Sequence, residues 1–185
     1  MEFKYFKSPS DFSYIIKNHS HCSVCSDLTV CFDAELFYGE NEIERICAKC
    51  LKNGKLIDLN ISVNNVNEQE LINYFGNASK ANEFGNQIVY MTPKLPTWQE
   101  MEWPFKNGEF GVFEKIASKL DFKGEDPKHI FKNSFSPSEQ ENSDLDWLWD
   151  ILPDHPIRNL DNGSYDVSVY LFRFGDEPFC TWDAN

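Results

Sequence analysis

Two C-x-x-C pairs constrain the fold of this 185-residue chain more than any other feature. They lie 21 residues apart and consist of Cys22, Cys25, Cys47 and Cys50. Each pair offers two thiolates from one tight turn, which is the arrangement that tetrahedral zinc sites use. The spacing predicts one structural Zn²⁺ ion held by all four sulfurs, because four protein ligands leave no open position for catalysis. An iron or iron–sulfur site and a redox-active dithiol are the alternatives.

The residues around the two pairs predict a small module that spans residues 1–56. Phe3–Tyr5 is typical of a short entry strand, and the runs LTVCF, ELFYG and EIERI predict short strands between the pairs. The segment AKCLKNG predicts one or two helical turns that stop at Gly54. This order is typical of a zinc-ribbon or treble-clef-like module, in which the metal replaces a core that so short a segment cannot build.

Residues 57–185 are predicted to form an α+β domain on which the module packs, and its C-terminal end is predicted to be a β-hairpin. In the hairpin, Tyr165, Val167, Val169 and Leu171 alternate with more polar residues, and Pro178–Trp182 returns as the partner strand. The other predicted elements are several helices and one strand, and the strand covers Ile88–Met91. The predicted helices are Asn67–Gly76, Ser79–Phe84, Trp98 to about Pro104, Glu109–Leu120, Pro127–Phe131 and Asp144–Leu152.

The charge balance of the chain is strongly acidic, with a formal net charge of −13. Proteins that bind nucleic acid need Lys and Arg to neutralise phosphates, so this charge disfavours a nucleic-acid reader. It favours a cationic protein partner, since opposite fields steer association, although acidity can also serve solubility alone. Residues 1–11 lack the apolar run of a signal peptide, and no stretch approaches the roughly 20 apolar residues of a membrane span. We therefore expect a soluble, cytoplasmic protein with no membrane partner.

The remaining histidines, cysteines and catalytic motifs indicate no reaction. His21 flanks the first cysteine pair, but four cysteines already complete a zinc site. Cys31 and Cys180 lie in apolar or aromatic runs, which is typical of buried free thiols. The chain has no glycine-rich phosphate loop, no G-x-S-x-G motif and no H-E-x-x-H motif. We therefore expect no catalytic residue and no small-molecule substrate.

One acidic segment, Ser134–Asp154, indicates a surface for a partner. It contains no Lys or Arg, and Trp147 and Trp149 lie within it. An acidic rim around aromatic anchors is typical of a binding hot spot for a basic protein. The predicted contact residues are Asp144, Asp146, Trp147, Asp150 and Asp154. The alternative is a solvated acidic helix whose tryptophans pack inward.

The order of several motifs resembles the CbrC family of bacterial proteins, which is associated with tolerance to colicins. The matching pieces are FKYF, CSVC, ICAKCLKNGKL, TPKLPTWQEMEW and VYLFRFGDEPFCTWDAN. The family often has another C-x-x-C pair after the YLFR-like strand. Here that stretch reads Phe174-Gly175-Asp176-Glu177, with Cys180 nearby. Any family property that rests on a second cysteine pair is therefore left open for this chain.

The resemblance implies a toxin-tolerance or immunity function. An immunity protein of this kind binds and blocks a cognate toxin domain in the cytoplasm, and many toxin domains are basic nucleases. The acidic charge of this chain agrees with a cationic toxin domain as partner. The alternatives are a zinc-ribbon module that acts on nucleic acid or on a nucleic-acid machine, and an enzyme of a type without a recognisable motif.

Overall fold

The computed structural model describes residues 1–160 and 166–185, and the buried apolar side chains of these residues form three clusters. The first cluster surrounds the cysteine pairs, the second lies beneath a central sheet, and the third lies beneath a group of short helices. The combination of helices and small antiparallel sheets confirms the predicted α+β class.

The N-terminal part consists of short elements that pair locally. Strand β1 pairs with β2, β3 with β5, and β4 with β6, all antiparallel. This confirms the strands predicted between the cysteine pairs and the short helix after them, which ends before Gly54 in the left-handed region (φ 66°). The elements are α1 (Pro9–Phe12), β1 (Ser20–His21), β2 (Leu28–Thr29), β3 (Cys31–Asp33), β4 (Tyr38–Gly39), β5 (Arg45–Cys47), α2 (Ala48–Lys52) and β6 (Ile61–Ser62).

The core of the N-terminal part reaches beyond the cysteines. Phe32, Ile46 and Leu51 are fully buried beside the thiols, and Ile61 and Val63 complete the same cluster. The division at residue 56 stays a prediction, but these two residues from beyond it belong to the core around the cysteines.

Two helices follow, α3 (Glu68–Phe75) and α4 (Ala78–Val89). As predicted, the side chain of Asn67 caps α3 by accepting the amide N–H of Glu70 (3.0 Å), and Gly76 ends the helix with φ 62°. The strand predicted over Ile88–Met91 is wrong, because α4 continues to Val89. Ile88 is buried on the same helical stripe as Ala81 and Gly85, so packing against α3 extends the helix.

The helix predicted over Glu109–Leu120 is also wrong, since this segment forms strands. The sequence Asn107-Gly108 makes a tight turn, with φ 52° and 88°, between β7 (Phe105–Lys106) and β8 (Glu109–Phe110). Strand β9 (Val112–Ile116) follows, and then a single 3₁₀ turn, Lys119–Asp121. A bulge in β9 places Phe113 and Ile116 on the buried face although they are three residues apart, which reproduces the spacing of a helix.

The central sheet has the strand order β11-β10-β9 and is antiparallel. The C-terminal hairpin of β10 (Val167–Phe174) and β11 (Glu177–Ala184) confirms the prediction, and Gly175 forms its turn with φ 58°. The predicted contribution of Tyr165 lies outside the described residues. The predicted entry strand Phe3–Tyr5 is wrong, because the N-terminal segment forms an isolated parallel bridge from Phe6 to Phe113 at the free side of β9.

The helix predicted from Trp98 to about Pro104 is wrong, since this segment is irregular, and a buried carboxylate binds its first residues. Asp183, on β11, accepts the backbone N–H groups of Trp98 (2.7 Å) and Gln99 (3.3 Å). It also accepts the hydroxyl of Tyr170 (2.7 Å), whose pKa is raised by burial and by the neighbouring carboxylate. The N–H groups that a helix N-cap would satisfy are therefore held by a residue 85 positions away.

Three short helices form the third layer: α5 (Pro127–Asn133), α6 (Pro137–Asn142) and α7 (Leu145–Ile151). Helices α5 and α7 confirm predicted elements, and each begins after an Asp cap. Phe131, Leu145 and Leu148 are buried beneath them against the central sheet. Within the described residues, no helix has the length and apolar character needed to cross a membrane.

Candidate metal centre

The first cysteine pair lies in the loop of the β1–β2 hairpin. The backbone N–H of Cys22 bonds to the carbonyl of Asp27 (3.0 Å), and the N–H of Ser26 bonds to the carbonyl of Cys22 (2.9 Å). Ser26 has φ 62°, a conformation that a non-glycine residue adopts at some cost. This tight loop turns the sulfurs of Cys22 and Cys25 toward the second pair.

The second pair lies where β5 becomes α2. Cys47 is the last residue of β5 and the N-cap of α2, and its sulfur accepts the backbone N–H of Cys50 (3.4 Å). The backbone N–H of Cys47 donates to the sulfur of Cys22 (3.3 Å), so a direct hydrogen bond also joins the two pairs. A tight C-x-x-C turn, antiparallel strands and a helix that carries ligands in its first turn are the parts of a treble-clef-like module.

The four sulfur atoms form a compact tetrad. All four lie within 4.8 Å of one another, and the sulfurs of Cys25 and Cys47 are 3.8 Å apart. Four ligands at about 2.3 Å around a tetrahedral zinc ion place their sulfurs about 3.8 Å apart. The donor set and its spacing therefore fit one metal ion, as the sequence predicted. Cys22, Cys47 and Cys50 are buried, whereas Cys25 is exposed.

Backbone hydrogen bonds favour the ionised form of the Cys22 thiol. Burial opposes ionisation of Cys22, but amide N–H groups, above all that of Cys47, lower its pKa to about 7. Burial and the neighbouring sulfurs of Cys25 and Cys47 raise the pKa of Cys50. The negative charges of four neighbouring thiolates repel one another, and a bound cation offsets this repulsion.

The other histidine and cysteine candidates stand apart from the tetrad. The Nδ1 atom of His21 lies 2.9 Å from the carbonyl of Ser26, so this ring braces the first loop. The thiol of Cys31 donates to the carbonyl of Ser20 (3.7 Å). Cys180 is fully buried in the third cluster, and burial raises the pKa of its thiol to about 12. Both thiols are buried, as the sequence predicted.

The structure places the predicted acidic partner surface on and beside α7, and it pairs much of this surface with lysines. Asp144 caps the helix by accepting the N–H of Trp147 (3.0 Å). The side chains of Lys128 and Lys132, both on α5, bind Asp146 (2.8 and 2.7 Å) and lower its pKa to about 2. Two further ion pairs join Lys128 to Asp150 (3.6 Å) and Lys119 to Asp154 (3.0 Å).

The two tryptophans of the acidic segment have different surroundings. Trp149 packs against Phe131 and Phe122 in the third cluster, with ring centroids 5.4 and 6.2 Å apart. Trp147 is 45% exposed and lies edge-on to Trp182 of β11, with centroids 6.3 Å apart. The inward packing considered in the sequence therefore holds for Trp149, whereas Trp147 stays at the surface.

Next to this tryptophan pair is a groove of about 1040 Å³, which we call the acidic groove. Burial, and then the nearby Glu102, raise the pKa of Glu70, and burial raises the pKa of Glu139. Lys106 in its wall is bound to Glu177 (2.6 Å). The groove is lined by four carboxylates and five aromatic residues, Glu70, Glu102, Glu139, Glu177, Trp103, Phe105, Phe135, Phe179 and Trp182. Sequence reasoning missed it, because its residues come from four segments, each about 30 to 40 positions from the next, with no local signal.

Comparison with known proteins assigns one family model to the chain. The model, described as "Uncharacterised protein family (UPF0167)", matches residues 1–174. This range contains all four cysteines and every element through the end of β10, and it excludes β11. No curated protein and no solved structure matches the chain.

Proposed function

The chain belongs to the uncharacterised protein family UPF0167, and we propose that it acts as an immunity protein that binds and neutralises a bacterial toxin domain in the cytoplasm. The toxin domain is cationic, and a basic nuclease fits best. The resemblance to the CbrC proteins and the net charge of −13 support this proposal. The function is binding rather than catalysis, and the metal centre holds the fold.

The observation that carries the proposal is the exposed tryptophan Trp147 beside the acidic groove. Tryptophan is enriched in binding hot spots, and Trp147 together with Trp182 offers an apolar anchor at the edge of four carboxylates. Burial raises the pKa of both Glu70 and Glu139, and no Lys or Arg of the described residues is paired with either carboxylate. A Lys or Arg side chain of a partner would supply the missing positive charge.

The aspartates of α7 form the outer part of this proposed interface. Asp146 and Asp150 share Lys128, so a cationic partner has to compete with internal ion pairs there. Asp144 and Asp154 are exposed at the two ends of the helix segment. We therefore propose that these aspartates steer the partner, whereas the groove and Trp147 hold it.

Replacing Trp147 with alanine is expected to weaken toxin binding by at least about tenfold, because central aromatic anchors dominate interface energetics. The probe is the product of the neighbouring gene, tested as the candidate toxin domain and produced as a catalytically inactive variant. Surface plasmon resonance gives both rate constants, and the loss is expected mainly as faster dissociation. The variant Glu70→Gln/Glu102→Gln is expected to slow association instead and to flatten its dependence on salt.

Two matched variants control this experiment. Trp98→Ala removes another exposed tryptophan (55% exposed) that is not among the residues lining the groove, and Glu83→Gln removes an exposed carboxylate from α4. Both should leave the rate constants unchanged. If Trp147→Ala binds the toxin domain as tightly as Trp98→Ala and the wild type do, the interface lies elsewhere on the chain. If the toxin domain does not bind at all, the proposed function fails.

We further propose that the metal of the tetrad is one zinc ion with a structural role. Four thiolates at tetrahedral spacing are the donor set of structural zinc sites, and they leave no position for a reacting water. Zinc bound to four thiolates carries a charge of about −2, so the centre adds to the negative surface. This charge agrees with a function that does not rest on binding phosphates.

Binding of Zn²⁺ to the metal-free protein at pH 7 is expected to release about three to four protons, because a thiol that is protonated at this pH must ionise to bind the metal. The affinity for zinc should therefore fall steeply as the pH is lowered. Calorimetric titration in two buffers of different ionisation enthalpy measures the number of protons. Release of about one proton or fewer would show that the four thiols do not all become ligands.

The alternative is a zinc-ribbon module that acts on nucleic acid or on a nucleic-acid machine. One observation favours it: Lys49, Lys52 and Lys55 are exposed together on and after α2, beside the metal centre. Fluorescence anisotropy with labelled DNA and RNA at low salt discriminates the two functions. Salt-dependent binding that is lost when these lysines become glutamine would support the alternative over the immunity function.

A further inference from the structure

A second cavity, lined in part by residues of β9 and β10, is rich in basic side chains, in contrast to the acidic groove. Its volume is about 790 Å³, which suits a small-molecule ligand. It lies between the N-terminal segment, strand β9, the 3₁₀ turn and the chain around Ile157. Five cations line it against two carboxylates, Lys7, Lys115, Lys123, Arg158 and Arg173 against Glu114 and Asp121.

Internal ion pairs compensate only part of this positive charge. Glu114 binds both Lys7 and Arg173 (Nε–Oε2 3.0 Å), and these two cations lower its pKa against the opposing effect of burial. Lys115 binds Asp121. Among the described residues, neither Lys123 nor Arg158 has a carboxylate partner. The cavity therefore keeps an excess of positive charge within a chain whose net charge is −13.

Apolar side chains form the rest of the wall. Phe12, Phe122 and Ile157 are buried beneath the cavity, and Leu120 stands at its edge, 53% exposed. A wall of this kind accommodates the ring of a ligand while the cations hold its charged end. The combination differs from a solvated basic patch, which offers no apolar contact.

We propose that this cavity binds a small phosphate-bearing molecule with a ring, such as a nucleotide. The guanidinium of Arg158 and the remaining N–H groups of Arg173 match the oxygens of a phosphate, and Lys123 adds a point charge. Glu114 holds Lys7 and Arg173 at the wall, so that two of the cations are positioned before the ligand arrives. The ligand is a bound regulator or stabiliser and not a substrate, and the inference does not depend on the proposed toxin binding.

Isothermal titration calorimetry of the zinc-loaded, full-length protein with ATP tests this inference, and inorganic pyrophosphate and a single-stranded oligonucleotide serve as comparison probes. We expect one-to-one binding of ATP, weaker binding of pyrophosphate, and an affinity for ATP that falls by about tenfold in Arg158→Gln. The affinity for ATP should also fall in Lys123→Gln. Lys80→Gln removes an exposed lysine of α4 outside the cavity and should bind ATP as the wild type does.

Each other result overturns the inference. Absence of ATP binding at low salt would contradict the inference. A loss of affinity in Lys80→Gln equal to that in Arg158→Gln would also contradict it, because it would indicate attraction by charge alone. Tight binding of the oligonucleotide without binding of ATP would assign the cations to nucleic acid instead. Pyrophosphate that binds as tightly as ATP would show that the apolar wall takes no part. Zinc content measured after each titration confirms that the probes have not removed the metal.

Discussion

Replacing Cys47 with serine is expected to abolish metal binding and to unfold the cysteine-rich part of the chain. Cys47 supplies one sulfur, caps α2 and donates its N–H to the sulfur of Cys22, so three interactions depend on its place in the tetrad. Structural zinc contributes about 10–16 kcal/mol in small modules of this kind. That exceeds what the short elements between residues 20 and 62 can supply by packing, because most of their strands are two or three residues long.

Metal analysis and hydrogen exchange measure this effect. The wild type should contain one zinc per chain, and Cys47→Ser none, with loss of exchange protection in β3, β5 and α2. Cys31→Ala is the matched control, because Cys31 lies opposite Cys47 in the β3–β5 register and is equally buried, but is not part of the tetrad. It should keep its zinc. A Cys47→Ser protein with full zinc content and native exchange would refute the proposed centre.

Replacing Asp183 with alanine is expected to lower the free energy of unfolding by about 3–5 kcal/mol. The Asp183 carboxylate is 6% exposed and accepts three hydrogen bonds, from Tyr170 and from the backbone of Trp98 and Gln99. Its removal leaves the backbone N–H groups of Trp98 and Gln99 without an acceptor, and each unsatisfied group costs about 1–3 kcal/mol. The hydroxyl of Tyr170 keeps only the carbonyl of Pro96 (3.0 Å) as an acceptor. Urea unfolding of the zinc-loaded protein measures the loss.

Two variants identify the source of this loss. Tyr170→Phe removes one donor and keeps the carboxylate, so it should cost about 1–2 kcal/mol. Asp176→Ala removes an exposed carboxylate from the turn of the same hairpin and should change the stability by less than about 0.5 kcal/mol. An Asp183→Ala protein as stable as Asp176→Ala would mean that the backbone of residues 98–99 finds other partners.

The elements that the sequence predicted correctly depend on neighbours in the chain. The capping of α3 by Asn67 and its end at Gly76 need only residues within one turn. The incorrect predictions have causes in contacts between residues far apart in the sequence. Phe113 and Ile116 have the spacing of a helical stripe, but they lie in a strand, and a bulge in its pairing with β10 turns both inward. The signal Asn107-Gly108 was present in the sequence and would have indicated the hairpin that the amphipathic pattern obscured.

The partner surface shows the same limit. The segment Ser134–Asp154 contains no Lys or Arg in the sequence, but tertiary packing brings Lys128 and Lys132 of α5 against Asp146. Electrostatic interaction acts through space, so the charge of a segment does not give the charge of the surface that it forms. The acidic groove and the basic cavity both arise in this way, in a chain whose net charge is −13.

By itself, the sequence determined the cysteine tetrad that could bind a metal ion. Two C-x-x-C turns each bring a pair of thiols together over three residues, and the four-thiolate donor set suits one tetrahedral ion wherever the rest of the chain lies. Only the tertiary structure decided the rest of the molecule's surfaces: which aspartates are paired, that Trp147 is exposed against Trp182, and where the uncompensated cations collect. The physical reason is that ligand turns are local, whereas grooves, cavities and ion pairs join residues that only the packing of sheet and helices brings into contact.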